Sequence, residues 1–102
     1  MAICTVFDNP GQTAEQTESV LGALRATGPL PPTGATYVVG GPHDGGWRMI
    51  SVWESEEAME RFFETRLPQA QREAGVDAER HTRSSFEVYK QSVAGAEPAP
   101  AL

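Results

Sequence analysis

The 102-residue chain is 39% hydrophobic, a length and composition that suit one domain burying about two-thirds of the surface its unfolded form would expose. Its 14 acidic residues against 8 basic ones give a net charge of -6, the wrong sign for holding nucleic acid phosphates or an anionic membrane surface. The single cysteine excludes an internal disulfide framework and any multi-cysteine metal site, and it suits a reducing compartment, so cytoplasmic residence is the expectation.

The first apolar run, Ala2 to Phe7, is short and rich in strand formers, and it ends at the turn formers Asp8-Asn9-Pro10-Gly11. No basic leader or long apolar run precedes it, so neither a secretory signal nor a spanning helix is expected. Thr13 can cap a helix whose dipole Glu15 and Glu18 favour, and Thr17, Val20, Leu21 and Leu24 recur at helical spacing before Gly28-Pro29 stops it. After a stiff connection through Pro29, Pro31 and Pro32, Ala35 to Val39 reads as a second strand, ended by Gly40-Gly41-Pro42. His43-Asp44-Gly45-Gly46 is a turn, and Trp47 to Trp53 is a third strand, which makes a hairpin with the second.

Ser55 caps a second helix with Glu56 and Glu57 in its first turn, and Met59, Phe62, Phe63, Leu67 and Ala70 set its period. Pro68 lies inside that pattern, which predicts a break near Thr65 to Leu67, and Gly75 closes the helix. Glu79 to Lys90 reads as a fourth strand, with Phe86, Val88 and Tyr89 its buried positions. One domain over residues 1–91 is expected, followed by a mobile Ala/Pro/Gly-rich tail at 92–102.

The order β-α-β-β-α-β predicts an α+β, ferredoxin-like fold, a four-stranded antiparallel sheet with both helices on one face. In the third strand Trp47, Met49, Ser51 and Trp53 point one way and Ile50 and Val52 the other, so both faces carry bulky apolar groups. One protomer cannot cover both, and the expected solution is a homodimer joined through the bare sheet faces.

The stretch Gly46 to Met59, continuing through Arg61-Phe62 and Arg66-Leu67-Pro68, resembles the strand-to-helix segment of the dimeric α+β barrel superfamily. More narrowly, it is similar to antibiotic biosynthesis monooxygenase-like proteins, with the likeness concentrated in Val52-Trp53-Glu54-Ser55-Glu56-Glu57-Ala58. The resemblance implies a pocket between helices and sheet, and oxidation of polycyclic phenols to quinones with no metal or flavin. Heme is disfavoured, because the heme-degrading branch places a Trp nine residues after the motif Trp and a ligating His ten residues later, where this chain has Phe62 and Arg72.

Several side chains could carry chemistry. Trp47 and Trp53, with Phe62, either pack the core or dimer interface or line a flat apolar site for a small aromatic molecule. Tyr37 is either a boundary residue or a donor to a substrate oxygen, and His43 either an exposed turn residue or an acid–base group at a pocket mouth. Arg66, four residues after Phe62 on the inward helix face, is paired, snorkelling or poised for a substrate carbonyl or carboxylate. Tyr37, His43 and Arg66 are therefore the candidate catalytic set, with Trp47, Trp53 and Phe62 binding the substrate. His81 and Arg83 read as a solvated edge, and Cys4 as a small core residue. Two distant histidines are poor metal ligands, and no phosphate-binding glycine motif is present, so neither metal nor nucleotide cofactor is expected.

The function expected is a cofactor-independent monooxygenase acting on a phenolic, polyketide-like aromatic. A cyclase or isomerase on the same scaffold and a non-catalytic ligand-binding protein are the alternatives. Seven of the eight basic residues are Arg, which disfavours Schiff-base chemistry.

Overall fold

The computed structural model describes residues 1–91, so the tail expected at 92–102 lies outside the described residues. The strands β1 (Ile3–Pro10), β2 (Ala35–His43), β3 (Gly46–Trp53) and β4 (Thr82–Glu87) form one antiparallel sheet in the order β2-β3-β1-β4. Helix α1 (Ala14–Thr27) and a second helical segment, α2 (Glu56–Arg61) continued by a π-helical turn (Phe62–Arg66) and α3 (Leu67–Glu73), cover one face. This is the ferredoxin-like architecture that the element order implies.

Local chemistry sets each boundary. Thr13 and Gln16 form a reciprocal capping box at the start of α1, the Gln16 N–H donating to Thr13 Oγ1 and the Thr13 N–H to Gln16 Oε1. Ser55 Oγ accepts from the Ala58 N–H at the start of α2. β1 and β2 run further than their apolar patterns suggest, to Pro10 and His43. Pro42 is tolerated because β2 is an edge strand, where a missing N–H breaks no second ladder. The hairpin turn narrows to Asp44-Gly45, both at positive φ (51° and 74°), as a two-residue turn matched to strand twist requires.

The break predicted by Pro68 is real and takes the form of the π-turn. The Leu67 N–H donates to Phe62 O, five residues back. Pro68 has no N–H to offer Glu64 O, and its ring crowds that carbonyl, so a widened turn relieves the clash without ending the segment.

Alternation divides the sheet into two unlike faces. Ile3, Thr5, Phe7 and Asn9 of β1 and Trp47, Met49, Ser51 and Trp53 of β3 stand beneath the helices, paired across the ladder. Ile3, Trp53 and Met59 form one core cluster and Val20, Leu24, Ala70 and Val76 another. The outer face carries Tyr37, Val39, Ile50, Val52, Cys4, Val6 and Phe86 in cross-strand rows, with Tyr37 50%, Val39 45% and Phe86 60% exposed. Phe86 and Tyr89 are therefore not buried within the chain, contrary to the sequence pattern, because Phe86 stands on the uncovered face and Tyr89 follows the end of β4. Cys4 is buried beneath this face, and burial pushes its thiol pKa up.

His81 and Arg83 are exposed, as the sequence suggests, and each also makes a side-chain contact. His81 precedes β4 and stacks on Phe7 at 5.2 Å between ring centroids, while the Arg83 guanidinium lies 4.5 Å from the Phe63 centroid and pairs with Glu60 at 3.3 Å.

At one end of the outer face Arg48 grips Asp8 through two parallel hydrogen bonds, Nε to Oδ1 at 2.7 Å and Nη2 to Oδ2 at 2.8 Å. That pairing holds the Asp8 carboxyl below its usual range, so its contribution is present at neutral pH and lost as pH falls through the lowered folded-state value. Asp8→Asn should cost about 1 kcal/mol or less at pH 7, given the pair's partial exposure, and progressively nothing in acid. Urea unfolding of both proteins across that range checks it; a loss that does not change with pH would contradict the pairing.

Candidate functional site

Between α1, the Phe62–Leu67 stretch and the inner sheet face lies an apolar cavity of about 100 Å³. Its aromatic corner is built from three elements. Trp53, 1% exposed, donates its indole N–H to Ser51 Oγ at 2.8 Å. Phe62 and Phe63 stand 5.4 and 6.1 Å from the Trp53 ring, and Phe7 stands 5.7 Å from Phe63. Successive side chains on an α-helix diverge by about 100°, and the widened turn reduces that angle, which helps two adjacent phenylalanines face one indole. Val20, Leu21 and Leu24 of α1 supply the opposite wall, and Leu30, Pro32, Val38 and Met49 complete the apolar lining.

The polar groups at the wall are neutral. Gln12, Thr17, Ser51 and Gln71 line the cavity, and no ionisable side chain does so among the described residues. Gln12 and Thr17 belong to a hydrogen-bonded chain whose polarity is fixed from its far end. Thr17 Oγ1 donates its only hydrogen to Thr13 O at 2.9 Å, so it must accept from Gln12 Nε2 at 2.8 Å. Gln12 Oε1 is thereby turned to accept from Asn9 Nδ2 at 2.8 Å, which leaves Asn9 Oδ1 as the free end. That oxygen is buried, in a residue 1% exposed, and no hydrogen-bond donor meets it. An unmet buried acceptor costs about 1–3 kcal/mol, and a donor brought by a ligand would recover it.

The side chains singled out from the sequence are divided by the fold. Trp53 and Phe62 are brought together as cavity walls. Trp47 shares their sheet face but stands aside from the cavity, packed over Gly40 with its indole N–H directed at Met49 Sδ at 3.3 Å. Tyr37 pairs with Val52 on the outer face, and His43 ends β2 there, exposed beside a shallow depression shared with Val39, Arg48 and Ile50. Neither faces the cavity. Arg66 lies at the C-terminal end of α1, where Nη2 donates to Leu24 O at 2.9 Å and Nη1 to Pro29 O at 3.1 Å. Its guanidinium is 5.9 Å from the Phe62 centroid.

Asn9 and Gln12 were not candidates on sequence, because Asp8-Asn9-Pro10-Gly11 reads as a turn. A signal was nevertheless present: continuing the alternation Ile3, Thr5, Phe7 by one step puts Asn9 on the inner face.

By sequence, no family model and no curated protein matches the chain. By structure, similar proteins are clear. A Caulobacter crescentus protein named as a candidate antibiotic biosynthesis monooxygenase superposes with a TM-score of 0.65 at 16% identity, over 87% of this chain and 91% of that one. A dimeric ferredoxin-like protein of unknown function from Thermobifida fusca gives 0.61 at 15% identity, over 86% and 92%. SnoaB, a cofactor-independent oxygenase from Streptomyces nogalater, gives 0.57 at 17% identity, over 88% and 95%. The chain shares their ferredoxin-like fold. The likeness spans nearly the whole of each chain, and at these identities it speaks for the fold and not for the reaction. Among the described residues no helix is long and apolar enough to cross a membrane, and no cluster of three or more potential metal-ligating side chains occurs.

Proposed function

We propose that the protein binds a small phenolic ring in the cavity beside Trp53 and oxygenates it with dioxygen, without a cofactor of its own. What supports this reading is an apolar, aromatic-walled space whose wall residues Gln12 and Thr17 belong to a hydrogen-bonded chain ending at one buried, unmet acceptor, Asn9 Oδ1, which lies behind the wall and is not itself a lining group. A phenolic O–H that reached past Gln12 would be the donor that acceptor lacks. The fold shared with a cofactor-independent oxygenase supports the same reading. The cavity narrows the substrate expected from sequence: about 100 Å³ is smaller than the cavity of about 150 Å³ that holds a benzene, so even one ring enters only as the walls give way, and the polycyclic phenols implied by resemblance exceed it further.

In this scheme Asn9 orients the phenol and Trp53, Phe62 and Phe63 hold the ring in a water-poor space. The substrate supplies the electrons. Phenol and dioxygen become a para-quinone and water: one oxygen atom enters the ring, the other leaves as water with the two displaced hydrogens, and nothing else is consumed. Among the described residues the side chains near the ring offer no acid–base pair, which counts against the cyclase or isomerase alternative; the phenolic proton therefore leaves to water or to the reduced oxygen, and retention of a ligand without turnover stays the competing reading. Tyr37 and His43 have no part in the scheme.

Oxygen uptake with 3-methoxyphenol tests the proposal. Consumption of one dioxygen per phenol with appearance of the quinone is expected, reduced about fivefold to tenfold in Asn9→Ala through loss of one hydrogen bond. Binding without uptake would leave a ligand-binding protein, and product formed anaerobically would overturn the oxygenase reading.

We also propose that a second copy of the chain covers the outer sheet face. Tyr37, Val39, Ile50 and Phe86 form a continuous apolar patch there, self-complementary under two-fold symmetry, and a structural neighbour is itself named dimeric. Sedimentation should give twice the 11.0 kDa chain mass, returning to the single mass in Val39→Asp. A monomeric wild type at micromolar concentration would contradict it.

A further inference from the structure

Beyond the cavity, a second and larger cleft of about 320 Å³ lies between the end of α1 and the π-turn. Phe62 and Pro32 belong to the walls of both spaces, so they form the partition between them. The two are chemically opposite. The cleft is lined by Arg61 and Arg66 with the hydroxyls of Thr27, Thr33 and Thr65, and no acidic side chain lines it among the described residues. Arg61 is paired with Glu57 at 3.0 Å, so the uncompensated charge at the cleft is that of Arg66, in a chain of net charge -6.

Arg66 is the centre of the argument. Arg48, Arg61 and Arg83 each pair with a carboxylate; Arg25, Arg66, Arg72 and Arg80 pair with none among the described residues, and of these four only Arg66 is partly buried. Two of its five donors serve the carbonyls of Leu24 and Pro29, and its Nε is buried with no acceptor at all. Carbonyl dipoles at a helix end offset only part of a full charge. Two of the three hydroxyls do not compete for an anion: Thr65 Oγ1 donates to Arg61 O and Thr27 Oγ1 to Leu24 O, so their hydrogens are already used. The donors left for a ligand are the Thr33 hydroxyl and the guanidinium N–H groups, whose planar geometry matches a carboxylate.

We infer that the substrate is an aromatic acid: a phenolic ring in the cavity carrying a short side chain across the Phe62–Pro32 partition, which opens on binding, with its carboxylate held by Arg66 in the cleft. The inference rests on the reading of the cavity given above and names the substrate class for it. Gly28 is part of the same device. A Cβ at that position would stand 2.9 Å from the Arg66 guanidinium carbon and Nη2, so alanine there would displace the charged group while the extended backbone accepts the residue.

Calorimetric titration with 3-(3-hydroxyphenyl)propanoate and with 3-propylphenol, its neutral counterpart, tests the assignment. The wild type should prefer the acid by about tenfold or more, the strength of hydrogen bonds to a charged group. That preference should fall below about twofold in Arg66→Met and in Gly28→Ala, the second variant retaining the charge but not its position. Equal affinity for the two probes in the wild type, or a preference that survives both substitutions, would show that Arg66 serves only to clamp α1. Failure of both probes to bind would overturn the cavity reading and this inference together, whereas binding of both without discrimination overturns this inference alone.

Discussion

Burial of the Trp53 indole against the sheet constrains everything that surrounds it. A side chain of that size, 1% exposed, needs a partner for its N–H and flat apolar neighbours for its ring. Ser51, two residues earlier on the same strand face, supplies the first, and Phe62 and Phe63 supply the second. Both phenylalanines come from the turn that Pro68 widens, so a missing backbone donor, five residues beyond Phe63, helps shape one wall of the cavity. That widened turn also carries Arg66 to the end of α1, tying the second helical segment to the first through two carbonyls.

The same layer is deliberate about polarity. Aromatic and aliphatic groups fill most of it, and a polar chain, Asn9 to Gln12 to Thr17 to Thr13, is satisfied at every link except its last oxygen. A neutral chain of this kind directs a single acceptor without placing a charge in a low-dielectric space, where an unpaired charge would be far costlier. Ionic groups stand away from the cavity, among them the Asp8–Arg48 pair on the outer face, the Arg83–Glu60 pair at the β4 edge and the arginines of the cleft beyond Phe62. This separation of a dry aromatic space from a cationic margin suits a ligand with one end of each kind.

Much of the fold was legible in the sequence because its signals are local. Thr13 and Ser55 caps, the alternation through β3 and the Asp44-Gly45 turn each act within a few residues, and together they dictate the element order. Pro68 even announced the break in the second helix, although not that it would be a π-turn. The site was less legible. Which face of β3 meets the helices depends on packing among distant segments, so Trp47 and Trp53 could not be separated by sequence, nor Tyr37 and His43 assigned to the outer face. Asn9 was hidden by its neighbours Pro10 and Gly11, which read as a turn although β1 continues through Pro10 to pair with Gly46. Arg66 was noticed for its helix face, but its two carbonyl partners and missing counter-ion are properties of the assembled fold.

The most direct test of the central claim is a crystal structure of the protein grown with phenol. The ring should occupy the cavity against Trp53 and Phe62, with its hydroxyl within hydrogen-bond distance of Asn9 Oδ1. Phenol bound only on the outer sheet face, or a cavity left empty at saturating phenol, would contradict the account.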